Sequence, residues 1–226
     1  QSRGLGDVYK RQERRAVGHN EGAAEGFASA SYIRALLAGG EDASAFLTAE
    51  SAAIYARECA AGRAPVTMKG AERAMLSRLR MLEEADFARY DSGGEGLYRR
   101  FYAAVRTAAS VDELLGTVKT KRYAYARLRR MLLAAYLDIA AAELPQEIPY
   151  LRVLACNERG RMLLRAIKNE GSAPVLTKSA DVRSLSEEAQ RLFALSARAC
   201  DQYVLAYPEL RAAKGGGAWT QGPVIV

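Results

Sequence analysis

The chain has 226 residues, half of them hydrophobic, and 33 lysines and arginines against 26 acidic residues give a net charge of +7. This mixture excludes a disordered or low-complexity protein, and the length allows a large core. No apolar run reaches the roughly 18 residues of a spanning helix, and no secretory signal pattern is present. Three scattered cysteines favour reduced thiols in the cytoplasm. The lone histidine, His19, argues against a His-based metal site or a Ser-His-Asp triad.

The first twelve residues, QSRGLGDVYKRQ, resemble a sequencing-library adapter translated in frame. Such a segment is excluded from fold reasoning, although a native flexible terminus is the alternative. The chain also lacks an initiator Met. We therefore expect an N-terminal part of the protein to be missing.

Apolar spacing, capping residues and glycines predict a mostly helical chain, followed by a small α/β part after residue 149. Strand-like runs occupy 150–156 and 174–177. The predicted helical regions are a short helix after the stretch 28–31, then 48–61, 67–90, one near Leu97–Val105, one after Ser110, 120–142, 157–168 and 184–206.

A basic segment at 119–130 contains six cations, two tyrosines and no acid. Treated as part of one helix, it places Tyr125 on the core side. A different, exposed face then holds Lys119, Arg122, Tyr123, Arg127 and Arg130, with Arg129 at its edge. Cations beside an aromatic ring are typical of phosphate contact with base stacking, whereas a solvated helix face usually interleaves acids. An acidic protein partner and a phospholipid surface stay open, and no DNA-reading motif accompanies the segment.

A second candidate site lies at the start of the chain, where a helix N-terminus could hold a nucleotide phosphate. Spacing alone favours a plain N-cap with a surface arginine. The residues concerned are Arg14, Arg15, Ser29, Ser31 and Arg34.

Five ordered segments resemble the bacterial tRNA(Met) cytidine acetate ligase family, within the HIGH-type nucleotidyltransferases. The strongest match is VKTKRYAYARLRRM at 118–131, which also includes Lys121. The others are FASASYIR at 27–34, EGL at 95–97, PYLRVL at 149–154 and NERGR at 157–161.

The resemblance implies an ATP-dependent enzyme, with Mg²⁺ expected beside ATP, that joins acetate to the wobble cytidine of elongator tRNA(Met) as N4-acetylcytidine. It implies ATP contacts for the five residues of the second site and tRNA contacts for Lys119, Lys121, Arg122, Tyr123, Arg127, Arg129 and Arg130. After the adapter-like segment 1–12, it implies a remnant of a Rossmann-like nucleotidyltransferase domain at 13–47, a helical tRNA-binding domain at 48–148 and a small α/β unit at 149–226.

One departure from the family pattern limits these expectations. The His-x-Gly-His signature is absent from the sequence, and Gly18-His19-Asn20 does not replace it. The catalytic residues are therefore unassigned, and we expect this chain alone to be inactive. A non-enzymatic RNA-binding helical module, a nucleotidyltransferase with another substrate and a helical interaction protein are the competing hypotheses.

Overall fold

Helices make up most of the computed structural model, which describes residues 22–24, 27–91 and 93–226, and the strands are short. The predicted fold class, mostly helical with a small α/β part, is confirmed. Helices α1 to α5 are Ala30–Ala38, Ala49–Ala60, Glu72–Arg80, Glu84–Tyr90 and Leu97–Thr107. Helices α6 to α10 are Val111–Val118, Tyr125–Leu137, Glu158–Glu170, Glu187–Val204 and Gly217–Thr220. Strands β1 to β6 are Ala23–Ala24, Phe27–Ala28, Leu151–Arg152, Ala155–Cys156, Val175–Leu176 and Val224–Ile225.

The chain divides between Thr67 and Met68 into two compact units. The boundaries predicted at 47/48 and 148/149 stay predictions. In the described part of the first unit, β1 and β2 form an antiparallel pair that leads into α1. Only Ser29 and Ala43 are buried there, so this unit has little core of its own within the described residues.

The second unit begins with a bundle of α3 to α7. Apolar residues at helical spacing point inward, as the sequence predicts. Phe87 of α4 and Phe101 of α5 stack with ring centroids 6.4 Å apart, and both are fully buried. The other fully buried large side chains of this bundle are Leu79, Leu97, Val105, Leu114, Val118, Leu128 and Leu132.

The predicted helical stripe over 67–90 is divided into α3 and α4. A capping box formed by Glu83 and Asp86 starts the second helix, which local apolar spacing does not reveal. Arginines then hold the ends of α3 and α5 together. Arg80 donates 2.8 Å to the carbonyl of Ala108, and Arg106 donates 2.5 Å to the carbonyl of Leu82. Arg80 also donates 3.4 Å to the carbonyl of Val105, and Arg106 donates to the carbonyl of Arg80, so both arginines pair carbonyls that a helix C-terminus leaves without partners.

The small α/β part follows the bundle. Strand β3 pairs in parallel with β5, and β4 pairs in parallel with β6. Helix α8 starts at the predicted cap, where Asn157 Oδ1 accepts the N–H of Gly160 at 2.9 Å. The apolar cluster of this α/β part centres on Phe193 of α9, with Leu176, Val182, Ala197 and Ala218 around it. Tyr136 of α7 donates 2.8 Å to Gln202 of α9, which joins this part to the bundle.

Candidate nucleic-acid interface

The basic segment is a loop and a helix start, rather than the continuous helix that we predicted. Helix α6 ends at Val118, and both Lys119 and Ala124 have extended backbones, with ψ of 130° and 144°. Helix α7 therefore begins only at Tyr125. Residues 119–124 cannot share a helical face with the residues that follow, so the predicted single face is wrong.

The two tyrosines exchange the roles that the helical reading gave them. Tyr123 is only 4% exposed, and its hydroxyl donates 3.4 Å to the carbonyl of Glu95. Tyr125 is 46% exposed, with Lys119 Nζ 5.5 Å and the Arg129 guanidinium 5.9 Å from its ring centroid. The buried ring anchors the loop to the bundle. The exposed ring, which periodicity had assigned to the core, is the one that a ligand can reach.

Two acids from a distant part of the chain contact the arginines. Arg127 Nη1 lies 2.9 Å from Glu95 Oε2, and Arg127 Nη2 lies 3.2 Å from Asp91 Oδ1. Arg122 Nη2 lies 2.9 Å from the other Glu95 oxygen. The absence of acids within 119–130 therefore did not mean that all its cations are unpaired. Sequence reasoning missed Glu95 and Asp91 as partners because contacts between residues 27 to 36 positions apart leave no local signal.

The ion pairs differ in burial. The Asp91 side chain is 2% exposed and Arg127 is 27% exposed, whereas Arg122 is 63% exposed. Hydrogen bonds from Arg122 and then Arg127 lower the pKa of the Glu95 carboxyl, and the bond to Glu95 raises the pKa of Arg122. Arg127 is thus a partly buried structural link to a buried carboxylate, while Arg122 can leave its partner for a phosphate at little cost.

Three further cations of the segment project from the surface. Lys121, Arg129 and Arg130 are exposed, and none makes an ion pair within the described residues. Lys119 is half-buried and donates 2.6 Å to the carbonyl of Thr120. The structure therefore offers an exposed basic surface, hereafter the basic patch, formed by Lys121, Arg122, Arg129, Arg130 and the ring of Tyr125.

The structure describes three of the five residues of the second predicted site, the one at the start of α1. Ser29 caps α1, and its Oγ accepts the N–H of Tyr32 at 3.1 Å. Ser29 is buried, while Ser31 and Arg34 are exposed on the first turns of the helix. The hydroxyl of Ser29 is therefore already used as a cap, whereas Ser31 and Arg34 can reach a ligand. Arg14 and Arg15 lie outside the described residues.

The described ranges show neither a metal-binding cluster nor a membrane-spanning helix. No group of three or more His, Cys, Asp or Glu side chains there could hold a metal ion. No helix among these residues is long and apolar enough to cross a bilayer. The three cysteines form no disulfide.

Residues 10–216 match the model of the HIGH Nucleotidyl Transferase family. The chain belongs to this family, so the class that the sequence resemblance implied is confirmed.

Among curated proteins, the chain is 36% identical over 157 residues to a tRNA(Met) cytidine acetate ligase of Kosmotoga olearia. That match covers 67% of this chain and 37% of the relative. A ligase of the same name from Fervidobacterium nodosum is 34% identical over 145 residues, covering 62% of this chain and 34% of the relative. The chain thus spans little more than a third of these relatives.

A solved structure shows the same fold. Apo TmcAL from Thermotoga maritima superposes with a TM-score of 0.86 at 23% identity, covering 93% of this chain and 53% of that protein. TmcAL bound with alpha-thio ATP gives a TM-score of 0.83 at 24% identity, covering 88% and 52%.

Proposed function

We propose that this chain is part of an ATP-dependent tRNA(Met) cytidine acetate ligase. The observation that carries the proposal is its 36% identity over 157 residues to a protein of that name. Membership of the HIGH nucleotidyl transferase family supports the same chemistry, since transfer of a nucleotidyl group is the first half of such a ligation. We place the activity in the cytoplasm, with elongator tRNA(Met) and acetate as substrates.

The proposed reaction has two steps. A carboxylate oxygen of acetate attacks the α-phosphorus of ATP, pyrophosphate leaves, and acetyl-adenylate forms. The exocyclic amine of the wobble cytidine then attacks the acetyl carbonyl, loses a proton and releases AMP, which gives N4-acetylcytidine. Neither step needs a protein nucleophile. Catalysis can rest on orientation of the reactants and on cations and N–H groups near the phosphates.

The basic patch is the proposed contact with tRNA. Its exposed guanidinium and ammonium groups suit phosphate oxygens, and Tyr125 presents a ring on which an unpaired base can stack. Arg127 and Lys119, which we predicted as direct contacts, are committed to protein partners and would act by holding the loop in place. Tyr123 has the same supporting role, since its ring is buried.

The residues at the start of α1 fit an ATP phosphate only in part. Ser31 and Arg34 are exposed beside the helix N-terminus, which favours anions. We propose these two as phosphate contacts and Ser29 as the cap that orients them. Arg14 and Arg15 stay predictions. No group of three or more His, Cys, Asp or Glu side chains among the described residues could hold a metal ion, and Mg²⁺ also stays a prediction.

The experiment expresses the longest reading frame that contains this chain and incubates the product with ATP, labelled acetate and unmodified tRNA(Met). We expect ATP-dependent label in the tRNA and N4-acetylcytidine after digestion to nucleosides. The 226-residue chain is the matched control and is expected to be inactive, because it lacks a His-x-Gly-His signature.

Two other results would replace the proposal. RNA binding without any ATP-dependent labelling would favour a non-enzymatic RNA-binding module. If the protein adenylates a different carboxylate and does not adenylate acetate, a nucleotidyltransferase with another substrate would be favoured.

A further inference from the structure

An open apolar cleft adjoins the basic patch in the second unit. It has a volume of about 480 Å³ and lies between the ends of α4 and α7, the start of α5 and the segment 139–144. Leu97, Met131, Leu133, Ala134 and Leu144 supply its apolar lining, and Arg130 lies at its edge. The volume falls within the roughly 300–1,000 Å³ of small-molecule sites and suits a nucleoside better than a whole duplex.

The walls of the cleft are apolar, and its charged rim is positive. Leu97 and Met131 lie buried at its base, whereas Leu133 and Leu144 are 37% and 41% exposed. Asp91 also lines the cleft, but Arg127 neutralises it at 3.2 Å. The unpaired charge within this lining is the guanidinium of Arg130. A ligand that fits the cleft therefore needs a flat or apolar part within it and an anionic group beside Arg130.

The same contacts connect the cleft with the rest of the basic patch. Arg127 lines the cleft and shares the Glu95 carboxylate with Arg122, at 2.9 Å from each. Arg130 belongs to both the patch and the cleft wall. A phosphate backbone that crosses the patch would thus carry its bases past the mouth of the cleft.

From this charge complementarity we propose that the cleft receives one unstacked base of a single-stranded RNA loop, with Arg130 on an adjoining phosphate. This inference rests on the proposed RNA-binding function and adds a preference for unpaired nucleotides. Unpaired bases are the ones that proteins can take up in apolar or aromatic pockets, whereas a paired base is held within its stack. The polarizable thioether of Met131 suits an aromatic ring at the base of the cleft.

The test compares two RNAs of equal charge, a hairpin with a single-stranded loop and a fully paired duplex, bound to the full 226-residue chain. Ala134→Leu fills the cleft without changing charge, and Ala103→Leu makes the same change at an exposed position of α5 outside the lining. We expect Ala134→Leu to weaken hairpin binding about five- to tenfold, which is the scale of one lost base contact, and to leave duplex binding unchanged. Ala103→Leu should change neither.

Two additional measurements guard against a fold defect. Leu133→Gln removes an apolar wall at an exposed position and should weaken hairpin binding in the same selective way. A 2-aminopurine placed in the loop should change its fluorescence on binding to the wild-type chain, and this change should disappear with Ala134→Leu.

The outcomes separate this inference from the proposed function. If neither RNA binds in a salt-dependent manner, the RNA-binding function itself fails. If both bind and Ala134→Leu equals the wild type, or weakens both RNAs equally, the base-binding cleft is wrong while RNA binding stands. Loss of self-association in Ala134→Leu with unchanged RNA binding would instead assign the cleft to a protein contact.

Discussion

Arg127 Nη1 donates a 2.9 Å hydrogen bond to Glu95 Oε2, although the two residues lie 32 positions apart in the chain. The same guanidinium contacts Asp91, so one side chain ties the start of α7 to the segment between α4 and α5. This link fixes the position from which the exposed cations project. The basic patch is therefore built on a structural arginine that does not itself have to contact a ligand.

The first prediction concerns the two arginines that share Glu95. Arg127→Ala leaves the nearly buried Asp91 without its cation, although the N–H groups of Gly93 and Tyr98 still contact it. We expect a loss of about 1–3 kcal/mol in the free energy of unfolding. Arg122→Ala, at an exposed pair, should lower the stability much less than Arg127→Ala does. Urea unfolding measures both, and equal losses would contradict the assignment of different roles.

The second prediction concerns Tyr90, whose hydroxyl donates 2.6 Å to Asp138 Oδ1. Burial, and then this hydrogen bond, raise the pKa of Tyr90 to about 12 from the usual 10.0. Since the pKa is higher in the folded state, the stabilisation is complete below pH 10 and is lost as the pH rises to about 12.

Tyr90→Phe should lower the free energy of unfolding by about 1 kcal/mol at neutral pH and should flatten its decline above pH 10. Urea unfolding at neutral pH and at about pH 11 checks both effects. Tyr125→Phe is the exposed control and should leave the stability at neutral pH unchanged. An undiminished alkaline decline in Tyr90→Phe would show that other groups cause it.

The third prediction separates the two serines at the start of α1. Ser29→Ala removes the acceptor for the N–H of Tyr32 and should cost about 1 kcal/mol locally. Exchange of the Tyr32 amide hydrogen should then become about fivefold faster. Ser31→Ala, at an exposed position, should leave this exchange unchanged. Equal exchange rates in both variants would remove the distinction between a cap and a ligand-facing hydroxyl.

Local signals predicted a large part of the fold. The caps Ser110 and Asn157 stand where the sequence placed them, and Ser29 is one of the two serines that it offered for α1, because a cap acts within three residues of its own position. The class of the protein also followed from short motifs, and the family match confirms it.

The geometry of the candidate site could not be read in the same way. Helical periodicity was assumed across residues 119–124, where Lys119 and Ala124 are extended, Lys121 and Arg122 form a turn, and the buried ring of Tyr123 fixes the loop. The pairing of Arg127 with Asp91 and Glu95 depends on how α4, α5 and α7 pack. Such contacts are set by tertiary structure, so a charge count within one segment overestimates the cations available to a ligand.

The salt dependence of tRNA(Met) binding tests the role of the basic patch most directly. The double variant Arg122→Gln/Arg130→Gln is compared with Arg191→Gln/Arg198→Gln, which makes the same charge change on exposed positions of α9. If the patch contacts phosphates, the first variant should bind several-fold more weakly, and its slope of log K against log salt should fall by about one per lost contact. The α9 variant should keep the wild-type slope. Equal slopes for the wild type and both variants would contradict tRNA contact by the basic patch.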